Sequence, residues 1–530
     1  MASSSPRPLI LIVSHSLMGH IAPMLRISSW LASRGWTVYF LGPTAHRARI
    51  ASTGATFIAL QGPCNIDDQA YWARPPVADY ASQPWYERVL IDLREQVLCP
   101  LPSAWASVCA ALRLMRHGDP SREVIILAEA FFYGVLPLRC GAPLDAPGPR
   151  PRSLCVSVTV PALRSGAEAP PLGYGHKHSL SAAAARERNE RLWAAWARKA
   201  APLTELLEEK LREAGAARGL GPGHVFLSGE NYVCHERILQ LGVPGLEYPR
   251  GAWPAGFRFV GLVQGEKRKE DSDAEGNEKG KEQHTPDFPW WPTILSNSAS
   301  LARANPQRKK ILLVAQGTVE TNPQDLIVPT IRAFAGDEGY IVLAILGWKN
   351  ARLTSLSASS TSPSPTPSTT SSSSTPPNTA DDALPPNAFI APYLSYDAAL
   401  PHADIWIHNG GFGAVSHGIA HGVPMVVAGE GMDKGENAER VAWSGIGVDL
   451  KCGARASAGA VREGVEWVLR DDDGSEEDRD KEERREKTPR QRVRELQREN
   501  EALDCFRIVE EELWGLASVG KPESDEVMRN

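Results

Sequence analysis

Residues 8–41 of the chain, PLILIVSHSLMGHIAPMLRISSWLASRGWTVYFL, decide its fold class. Residues 8–13 are an uninterrupted apolar run, which is typical of a strand buried on both faces of a parallel sheet. A loop through His20 follows, and Pro23 is predicted to open a helix. Residues 36–41 read as the next strand, so the whole stretch predicts a βαβ unit.

The same alternation of apolar runs and helical segments continues through both halves of the chain. Further strands are predicted at residues 123–128, 153–160, 310–315, 340–345, 404–408 and 422–428, and helices at 178–217, 326–334 and 414–421. This pattern predicts an α/β protein with two doubly wound, Rossmann-like domains. Ligands of such sheets bind beyond the carboxyl ends of the strands, so we expect the functional site in a cleft between the two domains.

Composition sets the expected domain boundaries. We predict an N-terminal domain over residues 1–242, a linker over 243–308 and a C-terminal domain over 309–470, followed by helices over 488–530. Three segments lack the apolar residues that a folded core needs, and we interpret them as surface insertions or linkers. They are the charged segment 266–284 in the linker, the Ser/Thr/Pro-rich segment 357–377 in the C-terminal domain, and the charged segment 471–487. The first two are predicted to be disordered, and the last could extend as a solvated helix into residues 490–503.

The negative charge of the chain lies in these insertions. The 530 residues include 57 Lys and Arg and 63 Asp and Glu, which gives a net charge of −6. The two charged segments carry −2 and −5, so the rest of the chain stands at +1. A nearly neutral folded body argues against a nucleic-acid partner, which would require a basic surface.

Cysteine usage and hydropathy indicate the compartment. The eight cysteines form no Cys-x-x-Cys pair and show no metal-ligand spacing with histidine. We therefore expect free thiols that pack as small apolar groups. The apolar run near the N-terminus, residues 9–13, is too short to cross a membrane. The sequence thus predicts a cytoplasmic protein without an integral membrane segment.

Two residues near predicted strand ends are candidates for proton transfer. His20 follows the first strand, where an imidazole can act as a general base near neutral pH. Glu129 follows the strand 123–128, and a carboxylate there could hydrogen-bond the imidazole and fix its tautomer. Taken singly, each has an ordinary alternative, a surface or capping histidine and a solvated glutamate.

A glycine-rich turn between a strand and a helix is the candidate anion site. In His408-Asn-Gly-Gly-Phe-Gly413, the glycines let backbone N–H groups approach an anion at a helix N-terminus, and the imidazole adds a donor. This arrangement suits a diphosphate. Asp433 and Lys434 follow the strand 422–428, where a carboxylate could accept hydrogen bonds from sugar hydroxyls. Tight packing of the turn and a plain surface pair are the alternatives.

The ordered set of motifs resembles the UDP-glycosyltransferase family. The family's Gly-His-x-x-Pro opening is similar to residues 19–23. Its later motifs are similar to residues 247–250, 259–261, 290–291, 316–318, 391–404, 408–413, 422–424 and 433–434. Within the family, the chain looks most similar to the macrolide-type and the fungal or bacterial small-molecule branch.

This resemblance implies a GT-B fold, with an N-terminal acceptor domain, a C-terminal nucleotide-sugar domain and C-terminal helices that return to the first domain. It implies an inverting reaction in which His20 takes the proton of the acceptor hydroxyl and Glu129 orients the imidazole. Thr318 would contact a phosphate, Tyr393 would stack on the nucleobase, and Asp433 would bind sugar hydroxyls. The implied donor-binding residues are Gln316, Gly317, Thr318, Tyr393, His408, Asn409, Gly410, Gly411, Gly413, Asp433 and Lys434.

The resemblance also implies that no metal and no resident cofactor take part, with the UDP-sugar as co-substrate. The expected function is transfer of a hexose, glucose first among them, from UDP-sugar to a hydroxyl of a hydrophobic small molecule such as a terpenoid, phenol or sterol. The chain departs from the family at four places. Glu129 stands where Asp is frequent, Lys434 where Gln is usual, and Ser416 and His417 near the position of a ribose-binding Glu. Tyr396 replaces the usual Gln after the aromatic residue.

Other functions stay open on the sequence alone. A GT-B scaffold could be a non-catalytic ligand-binding protein or a partner subunit, although the presence of His20 speaks against it. A nucleotide-sugar epimerase would need further acids in the cleft, and the sequence points to none. A metal-dependent transferase of the other common fold needs Asp-x-Asp at a strand end, whereas the matches in this chain lie within the charged segments.

Overall fold

The computed structural model of the protein resolves into two compact units. Unit 1 comprises Met1–Val263 and Glu499–Asn530, and unit 2 comprises Gln264–Arg498. The structure describes residues 7–73, 80–176, 180–263, 287–299, 307–317, 322–347, 351–353, 356, 383–453, 455–470 and 487–517.

Unit 1 is built on a seven-stranded parallel sheet. Its strands are β1 (Leu9–Val13), β2 (Val38–Gly42), β3 (Thr56–Ala59), β4 (Val124–Glu129), β5 (Arg152–Ser157), β6 (Arg237–Gln240) and β7 (Phe257–Phe259). Their order is β3-β2-β1-β4-β5-β6-β7. The strand order therefore reverses between β1 and β4, and the carboxyl ends at such a reversal are where ligands of open α/β sheets bind.

Helices cover this sheet and supply most of its core. They are α1 (Met18–Ser33), α2 (Arg47–Ala51), α3 (Asp68–Ala73), α4 (Trp85–Leu93), α5 (Leu101–Met115), α6 (Leu136–Arg139), α7 (Ala182–Lys199), α8 (Ala201–Glu213) and α9 (Glu230–Val233). Trp193 and Trp196 of α7 are buried, and their indole N–H groups donate to the carbonyls of Ala169 and Phe226. The polar edge of each indole is thus satisfied inside an apolar core.

A π-helical turn, Arg94–Leu98, joins α4 to α5. The resulting stretch Glu87–Met115 is long and apolar enough to cross a membrane. A window of 18 residues within it has a mean hydropathy of 1.4, and 61% of that window is buried inside the protein. A core helix of a globular domain passes the same test of length and composition.

Unit 2 contains a six-stranded parallel sheet. Its strands are β8 (Lys310–Ala315), β9 (Tyr340–Ile345), β10 (Ala388–Ala391), β11 (Ile405–His408), β12 (Met425–Val427) and β13 (Gly447–Asp449). The order is β10-β9-β8-β11-β12-β13, with the reversal between β8 and β11. Its helices are α10 (Trp291–Ala299), α11 (Ile327–Ala333), α12 (Tyr396–Ala399), α13 (Phe412–His421), α14 (Lys434–Trp443) and α15 (Ala458–Leu469).

Two helices end the described chain, α16 (Pro489–Glu501) and α17 (Cys505–Leu516). The last of them, α17, belongs to unit 1. There Glu510 accepts a hydrogen bond from the Trp36 indole at 2.9 Å, and Phe506 stacks on Trp30 at 5.6 Å between ring centroids. Glu512 pairs with arginines of β6 and β7. A helix more than 200 residues away in sequence thereby covers the start of unit 1.

The α/β class and the two Rossmann-like sheets predicted from the sequence are confirmed. Several element bounds differ from the predictions. Helix α1 begins at Met18, so Pro23 lies in its second turn instead of opening it. The helix begins earlier because the Leu17 carbonyl accepts from the backbone N–H groups of both His20 and Ile21.

Other differences follow from local chemistry. The long helix expected over 178–217 is two helices, because Pro202 lacks the N–H that would continue α7 into α8. The strand expected over 153–160 ends at Ser157, and β12 occupies only the centre of the stretch 422–428. Strand β7 and the rest of residues 243–263, which the sequence assigned to a linker, belong to unit 1.

The three predicted insertions fall almost entirely outside the described residues. Segments 266–284 and 357–377 lie wholly there, and of the segment 471–487 the structure describes only Lys487.

Candidate active site

His20 and Glu129 meet at the carboxyl edge of the unit 1 sheet. Strands β1 and β4 are parallel neighbours, with Val13 opposite Ala128, so the residues that follow both strands leave the same edge. Glu129 is the last residue of β4, and His20 lies in the first turn of α1. The distance from His20 Nδ1 to Glu129 Oε1 is 2.9 Å. The glutamate therefore reaches the imidazole from the position where the family often has aspartate.

The carboxylate of Glu129 is charged although none of its side chain is exposed. Burial alone would raise its pKa, but the His20 imidazole and the Phe131 N–H, which donates at 3.0 Å, outweigh burial and lower the pKa below its usual value. A carboxylate beside Nδ1 favours the tautomer that carries its proton on that nitrogen. Nε2 of His20 is then left as the proton acceptor, and the side chain is 19% exposed.

A second imidazole, not singled out by the sequence reasoning, packs against His20. The ring of His15 lies 5.4 Å from that of His20, and the Phe131 ring lies 5.6 Å from His20, edge-on. Burial, followed by the charge of His20, lowers the pKa of His15 to about 4. His15 is therefore neutral at physiological pH, and it fills space beside His20 without adding charge.

Backbone groups fix the His15 ring. Its Nδ1 accepts from the Leu17 N–H at 3.3 Å, so Nε2 carries the proton and donates to the Gln96 carbonyl at 3.2 Å. That carbonyl is free to accept because the residue four positions on, Pro100, has no N–H. The Gln96 carbonyl in the π-helical turn therefore accepts from His15 in place of the missing N–H of Pro100, and this bond holds His15 at the site. Such turns recur at functional sites.

A small cavity adjoins this histidine pair. The loops after three parallel strands line it, together with one face of the helical stretch that holds the π-helical turn. The lining residues are Ser14, His15, Ser16, Leu60, Cys64, Gln96, Val97, Pro100, Ala104, Phe131, Phe132, Tyr133 and Gly134. The carboxamide of Gln96 is buried there, and neither its oxygen nor its nitrogen has a hydrogen-bond partner among the described residues. The wall is therefore apolar and aromatic with a few polar groups, and the enclosed space of about 20 Å³ is that of a single water molecule.

The predicted anion-binding turn lies at the carboxyl edge of the unit 2 sheet. His408 ends β11, and its Nδ1 accepts from the Gly410 N–H at 3.0 Å. The proton is consequently on Nε2, which has no partner within the described part of the chain. Burial lowers the pKa of His408 to about 3, so the ring stays neutral at physiological pH. A buried, neutral N–H donor of this kind can bind an anion without a charge of its own.

The glycines of this turn have different reasons to be glycine. Gly410 has a φ of +89°, and a Cβ there would lie 2.8 Å from the Lys434 carbonyl oxygen. Gly411 is the N-cap of α13, and Gly413 lies in its first turn. A Cβ on either of these two would meet no atom within 4 Å. The chain at the start of α13 is therefore uncrowded where these two side chains would stand, and the N-terminus of α13, which favours anions, directly follows the turn after His408.

Hydrogen bonds join the other predicted donor residues to this turn. Asn409 donates to the Gln316 carbonyl at 2.5 Å, and Asn437 donates both to the Gly410 carbonyl at 2.7 Å and to Asp433 at 3.1 Å. The structure thus brings Gln316, His408 to Gly411, Asp433 and Lys434 together at one edge of the sheet. The Gln316 side chain itself bonds the backbone of residues 322 and 327, so it holds its loop in place.

The remaining predicted residues lie at the same edge or outside the description. Tyr393 follows β10 and is 55% exposed, which leaves its ring face open for stacking. Gly317 follows β8 with a φ of +76°. Thr318 lies outside the described residues. His20 and Glu129 are in unit 1, whereas all the donor residues are in unit 2.

The chain is similar in sequence to known proteins. The family described as "Erythromycin biosynthesis protein CIII-like, C-terminal domain" matches residues 375–497. UDP-glucosyltransferase 1 of Beauveria bassiana is 29% identical, covering 94% of each chain, and UDP-glucosyltransferase A1 of Starmerella bombicola is 27% identical, covering 88% of this chain and 87% of that one.

Solved structures show the same fold. The calicheamicin glycosyltransferase CalG4 superposes with a TM-score of 0.53 at 17% identity, covering 97% of this chain and 98% of that one. The spinosyn rhamnosyltransferase SpnG with thymidine diphosphate superposes with a TM-score of 0.54 at 16% identity, covering 95% and 99%. The two Rossmann-like sheets therefore have the GT-B fold of these structures. The sequence similarity to UDP-glucosyltransferases over most of the chain supports a glycosyltransferase of the UDP-glycosyltransferase type.

Proposed function

We propose that this glycosyltransferase moves glucose from UDP-glucose to a hydroxyl of a hydrophobic small molecule, with inversion at the anomeric carbon. The observation that carries the proposal is the pair formed by His20 and a fully buried, ionised Glu129 at the strand reversal of unit 1. The curated relatives named UDP-glucosyltransferase support the choice of donor.

In the proposed reaction, Nε2 of His20 accepts the proton of the acceptor hydroxyl. The oxygen attacks the anomeric carbon from the side opposite the diphosphate, the glycosidic bond forms, and the bond to the phosphate oxygen breaks, so UDP leaves. The imidazolium formed on His20 lies beside the Glu129 carboxylate, which stabilises the positive charge as it develops. Attack opposite to the leaving group inverts the configuration.

The leaving diphosphate gains negative charge as the bond breaks. In the proposed complex, Nε2–H of His408 and the N–H groups that open α13 stabilise this charge, because they are already oriented before the reaction begins. Asp433 accepts hydrogen bonds from sugar hydroxyls, and Tyr393 stacks on the base. These donors are the basis for proposing that the transfer needs neither a catalytic metal nor a resident cofactor.

The acceptor is proposed to enter beside His15 and Phe131, where the small cavity offers aromatic walls. Its chemistry suits an apolar molecule that carries hydroxyl or carbonyl groups, because Gln96 can both donate and accept a hydrogen bond. We also propose a cytoplasmic location. All eight cysteines are unpaired, and six of them are buried, as expected in a reducing compartment.

The direct test incubates the purified chain with UDP-glucose and a panel of phenols, terpenoids and sterols, and follows glucoside formation by mass spectrometry. We expect His20→Ala to lower turnover by about 10²–10⁴-fold. The exposed His117 of unit 1 provides the control variant His117→Ala, which should keep wild-type turnover.

The outcomes distinguish the other functions. Binding of UDP without transfer to any acceptor would favour a non-catalytic binding protein. Conversion of the sugar into an epimer without an acceptor would favour an epimerase. Equal turnover of His20→Ala and the wild type would remove His20 as the base.

A further inference from the structure

A cluster of one carboxylate and two imidazoles lies in unit 2, and none of the three is among the predicted donor-binding residues, although His417 stands near the position of the family's ribose-binding Glu. Asp397 is on α12, and His417 and His421 are on α13. The two histidines are four residues apart, so they lie on one face of the helix. Asp397 Oδ1 is 2.9 Å from His417 Nδ1 and 3.1 Å from His421 Nε2.

This donor set is one that late first-row divalent metals bind. Two imidazole nitrogens and a carboxylate oxygen, with a position left for water, form a common Zn²⁺ site. A tetrahedral ion with bonds of about 2.0–2.1 Å holds its ligand atoms about 3.3 Å apart. The two measured distances fall a few tenths of an ångström short of that separation, and all three ligand atoms lie within 4.8 Å of one another. Small rotamer shifts would therefore open the cluster around an ion.

The surroundings keep the ligands accessible and oriented. The side chains of His417 and His421 are 27% and 22% exposed, and that of Asp397 is 41% exposed, so an ion can enter from solvent. The ring of Tyr396 packs edge-on against His417 at 5.4 Å between centroids and restricts its rotation.

We infer that Asp397, His417 and His421 form a binding site for a divalent transition-metal ion, Zn²⁺ in the first place. The ion would tie α12 to α13. Because the turn with Gly410 immediately precedes α13 and Tyr393 lies three residues before the start of α12, the ion would stiffen the edge of the unit 2 sheet on which both lie. This inference does not depend on the proposed function, since the geometry of the three side chains carries it.

The alternative is a hydrogen-bonded triad in which both imidazoles donate to the carboxylate and no ion binds. His421→Gln separates the two, because a glutamine amide can still donate to Asp397 but is a poor ligand for zinc. The matched control is His117→Ala, which removes an exposed histidine from unit 1.

The experiment strips the full-length chain of metal with a chelator and titrates it with Co²⁺ while the visible absorption is recorded, followed by calorimetry with Zn²⁺. We expect one equivalent to bind to the wild type and to His117→Ala, and at least about tenfold weaker binding to His421→Gln. Zn²⁺ should also raise the unfolding temperature of the wild type and leave that of His421→Gln unchanged.

Two results would overturn the inference. One is the absence of a one-to-one Co²⁺ complex with the wild type. The other is an affinity of His421→Gln equal to that of the wild type, which would assign the bound ion to other residues. A circular dichroism spectrum of each variant shows that it is folded, so loss of binding is not loss of structure.

Discussion

Glu129 combines full burial with a charge, and this combination depends on the His20 imidazole and the Phe131 N–H. We predict that Glu129→Gln lowers kcat by roughly 10²–10⁴-fold, because the neutral amide keeps the shape but no longer stabilises the imidazolium of His20. The KM for UDP-glucose should be unchanged, since the donor residues are in unit 2. Steady-state kinetics of Glu129→Gln and the wild type with the same acceptor measure kcat and KM.

Glu129→Asp is the companion variant to that prediction. It keeps the charge but shortens the side chain by one methylene, so its kcat should lie between those of the wild type and Glu129→Gln. Full turnover by Glu129→Gln would mean that the carboxylate only holds His20 in place.

Gln96 offers a second prediction for a single residue. Its carboxamide is buried without a partner among the described residues, a state that costs free energy in the free enzyme. Gln96→Leu should therefore leave the unfolding temperature equal or higher, while raising the KM for an oxygenated acceptor by roughly two- to tenfold. Acceptors whose only oxygen is the reacting hydroxyl should have the same KM with the variant and with the wild type. A variant that is destabilised, with unchanged KM values, would contradict the assignment.

At the scale of secondary structure, the turn between β11 and α13 depends on one backbone conformation. Alanine at Gly410 would require a φ of +89° and would place its Cβ 2.8 Å from the Lys434 carbonyl oxygen. We predict that Gly410→Ala lowers the free energy of unfolding by about 1–3 kcal/mol. Gly413→Ala is the matched control, since a Cβ there meets no atom within 4 Å, and a helical alanine should keep stability or add up to about 1 kcal/mol. Denaturant titration of both variants tests the difference, and equal stabilities would contradict it.

The elements that could be predicted are those whose own residues determine their structure, without contacts from distant parts of the chain. Strand β1 was predictable because a run of only five apolar residues, preceded by Pro8, is typical of a strand covered on both faces and is short for a helix. The start of α1 was not, because it depends on the Leu17 carbonyl and on Asp68, fifty residues away, whose carboxylate accepts from the Met18 N–H. Pro23 gave the wrong start because a proline is tolerated within the second turn of this helix.

The candidate site divides along the same line. His20 and the turn from His408 to Gly413 follow strands directly, so their place in the chain predicts their place in the fold. The roles of His15 and Gln96 depend on a π-helical turn packing against the loop after β1. Pro100, four residues after Gln96, was the one local signal that a helical carbonyl would be free there.

At the scale of the whole molecule, buried neutral histidines couple stability to pH. Burial first of all lowers the pKa of His15 to about 4 and those of His235 and His408 to about 3, from an ordinary value near 6.5. At pH values between the folded-state pKa and about 6.5, these histidines are protonated in the unfolded chain but not in the folded chain. The free energy of unfolding is therefore at its full value above about pH 6.5 and falls as the pH drops below it. Each ring should remove about 1.4 kcal/mol per pH unit below that point.

Urea unfolding at pH 7.5, 6.5 and 5.5 measures this dependence. His235→Gln should reduce the slope of the free energy of unfolding against pH by about 1.4 kcal/mol per pH unit. A free energy of unfolding that is constant from pH 7.5 to 5.5 would contradict the prediction, because three rings would then titrate equally in the folded and unfolded states.

Unit 1 consists of two stretches of chain, with all of unit 2 between them in sequence. Protein synthesis is vectorial, so the ribosome must finish residues 264–498 before it makes α17. At about 5–20 residues per second, roughly 10–50 s pass between the synthesis of the first stretch of unit 1 and that of α17. During that time Trp36 lacks the Glu510 carboxylate that accepts from its indole, and Trp30 lacks Phe506. The nascent chain therefore exposes this apolar surface to chaperones until α17 has been synthesised, and unit 2 is the first unit to have all of its residues.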